Sequence, residues 1–145
     1  AAFAHATACD PVVVKDNYAY VTLRDGTACQ GFNNQLDLVD ISDLFNPVLE
    51  RSFPMDNPHG LSISDNTLFI CEGAHGLKSF DITDPLRIDE NLLDHVESLF
   101  AFDAISLAVP GYDNTVLVIG EDGFYQYNFD DPSDLKLISL IPVVK

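Results

Sequence analysis

Asp10, His59 and Asp103 each stand at the head of a short apolar run, "PVVVK", "GLSIS" and "AISLA". Two carboxylates and an imidazole converging from three such positions would suit a hard or borderline divalent cation, calcium or a similar ion. An Asp ahead of a strand equally serves to hydrogen-bond its own loop backbone, and the residue types allow both readings. Cys71 and His75, in "CEGAH", have the types of a thiol nucleophile and its base. No orienting carboxylate or oxyanion donor stands at a recognisable spacing, so no catalytic residue is assigned and Cys71 is expected to be buried and unpaired. Cys9 and Cys29 complete the cysteines. They form either a disulfide closing a loop of about 20 residues, worth ~3 kcal/mol by chain entropy, or two reduced thiols packed as small hydrophobes.

The elements that must position these groups show themselves by repetition. "NQLDLVDISD", "GLKSFDITD" and "GFYQYNFDD" set Asp40, Asp81 and Asn128 on one position. Upstream, Asp16-Asn17, Asp65-Asn66 and Asp113-Asn114 each separate two apolar runs. A fourth run follows each copy: "PVLERSF", "RIDENLLDHV" and "LKLISLIPV". Each unit therefore reads as four short strands joined by polar turns, at the period of about 40–50 residues found in propeller blades. Asp40, Asp81 and Asn128, recurring at strand ends, read as turn caps. In the third strand one face carries Leu36/Leu38, Leu77/Ser79 and Phe124/Gln126, and the other Val39/Ile41, Phe80/Ile82 and Tyr127/Phe129. A strand apolar on both faces belongs to a sheet stacked between sheets. Phe124, Tyr125 and Tyr127 are accordingly expected in the core.

The expected fold is all-β, about three four-stranded antiparallel blades of a larger ring of six to eight. Residues 1–9 read as the last strand of a preceding blade, and 10–55, 56–99 and 100–145 as three blades. Three blades leave two apolar faces open, so the ring is expected to be completed by remaining blades of the same protein or by a second copy. Blade topology puts the loop before the first strand and the second-to-third loop on one rim. His5, Asp10, His59, His75, Asp103 and Glu121 fall there with the three cysteines, while His95 falls in a last strand. Loops gathered on one face of a repeat protein are commonly its binding surface.

With 23 acidic against 7 basic residues the net charge is −16. That balance repels a phosphate backbone and excludes nucleic-acid binding. No run is long enough to span a membrane as a helix. The stretches "HATACDPVVVKDNYAYVTLRDGTACQGFNNQLDLVDIS", "NPHGLSISDNTLFICEGAHGLKSFDITDP" and "VIGEDGFYQYNF" resemble the LVIVD-repeat proteins, a bacterial β-propeller family. The resemblance implies the C-terminal portion of an exported protein, placed in the periplasm, at the outer membrane or at the cell surface. It brings no assigned reaction. The expected function is a non-enzymatic binding or scaffold module acting through one loop face. The alternative is a metal-dependent hydrolase of lactonase type with its site at the channel mouth.

Overall fold

The computed structural model of the chain describes residues 11–25, 33–107 and 110–144. Within them lie three four-stranded antiparallel sheets, each built in chain order. The first holds β1 (Val12–Lys15), β2 (Tyr18–Leu23), β3 (Gln35–Asp40) and β4 (Val48–Pro54). The second holds β5 (Leu61–Ser64), β6 (Thr67–Cys71), β7 (Leu77–Asp81) and β8 (Leu92–Val96). The third holds β9 (Ala101–Leu107), β10 (Thr115–Gly120), β11 (Gly123–Asn128) and β12 (Lys136–Pro142). The fold is thus all-β with blade-like sheets. One correction concerns "RIDENLLDHV". Pro85–Glu90 is a short 3-10 helix and only Leu92–Val96 is strand. Asp84 starts that helix by accepting from the Leu86 amide, and Pro at its first turn suits the fixed φ there.

The repeated turn residues act as their types predict. Asp16 and Asp65 take φ of 54° and 49° in the first hairpin of their sheets, and in the third Asn114 takes 57°. Asn and Asp bear this left-handed conformation better than other side chains. The next strand then ties back to the same turn. The amides of Ile41, Ile82 and Phe129 donate to the carbonyls of Asn17, Asn66 and Asn114 at 2.8, 2.9 and 2.7 Å. Asp40, Asp81 and Asn128 each accept the amide two residues on, at 2.8, 2.8 and 2.9 Å. The Ser42 amide holds the Asp40 carboxyl below the usual range, and the Thr83 hydroxyl and amide do so for Asp81. These are caps, as expected.

Stacking produces two core layers, one in each gap between sheets. Tyr20, Leu36 and Phe53 of the first sheet meet Leu61, Leu68 and Phe80 of the second. Phe69 and Leu77 of the second meet Ala104, Val118 and Tyr127 of the third. The middle sheet is therefore buried on both faces, which its near-continuous apolar strands require. Register makes the sheets superposable by position: Leu36 pairs with Phe53, Leu77 with Val96 and Phe124 with Ile141. Phe124 is the exception to the core expectation. Strand alternation puts Tyr125 and Tyr127 in the layer and turns Phe124 to the far face of the third sheet, where it is 52% exposed.

The first strands of the sheets lie side by side at the inner edge. The Ser62 and Ser106 hydroxyls, one from β5 and one from β9, meet at 2.9 Å, and Ser62 Oγ also accepts the Ser106 amide at 3.0 Å. At the start of β5 the Gly60 amide donates to Phe102 O at 2.8 Å. A Cβ at Gly60 would lie 1.9 Å from Asp103 Oδ1 and 2.8 Å from Asp103 Cα. Only glycine lets the two backbones approach this closely.

Candidate functional site at the inner rim

The connection from β4 to β5, the β6–β7 turn and the connection from β8 to β9 converge at one end of the inner edge. An isolated bridge between Gly73 and Ala101 joins the second to the third. The His59 amide donates to Cys71 O at 2.6 Å, and His59 O accepts the Thr22 hydroxyl at 2.6 Å, so His59 is fixed to two sheets by its backbone. Its ring Nδ1 lies 2.7 Å from Asn57 O. A carbonyl only accepts, so Nδ1 carries the proton and Nε2 is left as the acceptor nitrogen of a neutral ring. Burial pushes the His59 pKa down, against the opposing pull of that hydrogen bond.

Two phenylalanines stand over this imidazole. The Phe100 ring lies edge-on at 6.4 Å, Phe102 is tilted at 5.9 Å, and the two pack on each other at 4.9 Å. Phe102 remains 40% exposed. The sequence did not single out either Phe. The reason is a slip of one residue. Leu107 pairs with Thr115 as Ser64 pairs with Thr67, which sets Asp103 level with Gly60, and Phe102 falls in the bulge just before it. In a strand a shift of one exchanges faces. His59 and Asp103 are neighbours at the rim but not equivalents, and Asp103 Oδ1 accepts the Ala104 amide at 2.9 Å. Asp10, His5, Cys9 and Cys29 lie outside the described residues. Among the described residues no three His, Cys, Asp or Glu groups are placed to share a metal ion.

Beneath the rings lies a feature the sequence reading missed. Glu72, fully buried, accepts the Asp56 amide at 2.8 Å and the Asn57 amide at 3.3 Å through Oε1. Its Oε2 faces the Lys78 ammonium, which also reaches Asp56 Oδ2 at 2.8 Å. Burial works to lower the Lys78 pKa, and the Asp56 and Glu72 carboxylates overcome it and raise it. The same ammonium, by its hydrogen bond, holds Asp56 below the usual carboxylate range. Glu72 thereby clamps the segment carrying His59 to the β6–β7 hairpin. Five residues separate Glu72 from Lys78, and the hairpin between them brings the two together.

Cys71 is free and fully buried, as expected, and burial pushes its thiol well above the usual range. Both burial and the raised pKa work against the thiolate that a nucleophile needs. His75 and Glu121 are exposed on the rim loops, and His95 stands in β8 with its Nε2 on His75 O.

Residues 7–54 match the family model described as the LVIVD repeat. No curated protein matches the chain.

Proposed function

The chain carries an LVIVD repeat in the first of its three like sheets, and from that premise we propose that it is a non-enzymatic propeller module that binds a small ligand or partner through its inner rim. The observation that carries this reading is the half-open corner of His59, Phe100 and Phe102. A neutral imidazole with an acceptor nitrogen beside two aromatic rings offers an apolar wall with a polar handle, the composition of a ligand site. The corner rests on bonded backbone and on the Glu72–Lys78 clamp, so it is preorganised. We place the module outside the cytoplasm, at the cell envelope; the family resemblance supports this, and a Cys9–Cys29 disulfide would fit it.

A thermal-shift screen of small polar aromatics, sugars and divalent cations tests the reading. Binding at the corner raises the melting temperature of the wild type and not of Phe102→Ala. Hydrolysis of an ester or lactone panel that depends on both a divalent cation and His59 would replace this reading by the metal-dependent enzyme.

A further inference from the structure

In a chain with 23 acidic and only 7 basic residues, a cation that lacks a carboxylate stands out. Among the described residues, Lys15, Arg51, Lys78, Arg87 and Lys136 each lie within ion-pair distance of one. Arg24, partly buried, has no such partner among them. Its segment is tied to the His59 loop on both sides. Two residues before it, the Thr22 hydroxyl donates to His59 O at 2.6 Å. Just after it, the Asp25 amide donates to Asn34 Oδ1 at 3.2 Å, and Asn57 Nδ2 donates to the same oxygen at 3.2 Å. Asn57 O in turn holds the His59 ring through Nδ1. Burial pushes the His59 pKa down and the Arg24 charge adds to that push, so the guanidinium acts on the ring through space. The Glu72 charge pulls the other way, but Lys78 already answers it.

The ring itself is hemmed in. Gly73 lies against its Cε1 edge, where a Cβ would come within 2.9 Å, and Phe100 and Phe102 stand beside it. The Asp103 carboxylate, next to Phe102 in the chain, presses on Gly60 and accepts the Ala104 amide. Three unlike groups are thus available: the Arg24 guanidinium, the 40% exposed Phe102 ring and the acceptor nitrogen of a neutral imidazole. A guanidinium fits a carboxylate with two parallel hydrogen bonds. An aromatic ring packs on another, and an acceptor nitrogen takes a hydroxyl. We propose that the corner takes a small aromatic carboxylate that carries a hydroxyl: the carboxylate on Arg24, the ring against Phe102, the hydroxyl donating to His59 Nε2. One guanidinium balances one carboxylate, whereas a doubly charged phosphate would keep a charge unanswered within a net charge of −16. This rests on the rim reading above and adds to it the class of ligand.

The test is an amide chemical-shift titration at neutral pH with para-hydroxyphenylacetate, its neutral amide, and phenylacetate. The wild type is expected to bind the hydroxylated acid at least about tenfold more tightly than the amide, against the chain's net charge. Phenylacetate, without the hydroxyl, is expected to bind severalfold more weakly than the hydroxylated acid. Arg24→Gln is expected to lose the preference for the acid and to bind the amide as the wild type does, which also shows that the variant is folded. Phe102→Ala is expected to weaken both. Equal binding of acid and amide, both dependent on Phe102, overturns the carboxylate proposal and keeps the rim site. An acid preference that survives Arg24→Gln overturns the role of Arg24. No binding of the hydroxylated acid at ~10 mM overturns the ligand class. Binding that is indifferent to Phe102→Ala overturns the rim reading along with it.

Discussion

At the scale of single residues the rim depends on where three protons sit. Lys78→Met removes the cation beside a fully buried carboxylate and is expected to cost about 3–5 kcal/mol. Glu72→Gln keeps an acceptor for the Asp56 amide and leaves Lys78 its bond to Asp56, so about 1–2 kcal/mol is expected. Urea titrations of both variants test the order, and the reverse order would show that the clamp is not ionic. His59 has a folded pKa below its unfolded value. It therefore contributes stability that is present above the unfolded value near 6.5 and lost as pH falls toward the folded one. His59→Gln is expected to flatten the fall in urea midpoint between pH 7 and pH 5, a window above most carboxylate titration. The third proton is on Cys71. Buried with a raised pKa, it should take no iodoacetamide in the native protein and be labelled fully after unfolding, a mass-spectrometric map that also tests the Cys9–Cys29 bond.

At the scale of elements, glycines mark where strands press together. Gly76 has φ +85°, and a Cβ there would lie 1.9 Å from Val96 O of the neighbouring strand. Gly123, its counterpart in the third sheet, meets Ile141 O at 2.1 Å in the same way. Gly111 has φ +89° with nothing within 4 Å. Gly111→Ala should cost only the conformational penalty, about 1 kcal/mol, and Gly76→Ala a further 1–3 kcal/mol or so for overpacking. Chemical denaturation separates the two, and equal losses would argue that β7 and β8 have slack. Much of this scale was legible beforehand. The Asp-Asn turns and the recurring third strand are local signals, and local bonds enforce them. The level of Asp103 was not, because the apolar run after it looks alike in either register and only pairing with β10 decides. Nor was the exposure of Phe124, since alternation gives the face and says nothing of whether a neighbour covers it. The Phe100–Phe102–His59 cluster joins two sheets and leaves no local trace.

At the scale of the whole molecule, the charge of −16 is a diffuse cost. Salt bridges such as Arg51–Asp89, at 3.2 Å between the first two sheets, offset little of it at the surface. Raising ionic strength from ~0.01 M to ~0.15 M shortens the screening length from about 30 to 8 Å and is expected to raise the urea midpoint. A falling midpoint would assign more weight to the cross-sheet pairs than to the repulsion. The burial of the middle sheet on both faces has a kinetic corollary. Sheets that touch only their neighbours open as separate cooperative units, those at the ends first. Amide exchange should then run as a gradient among the described strands: slowest in β6 and β7, and faster in β10–β11, whose far face leaves Phe124 52% exposed.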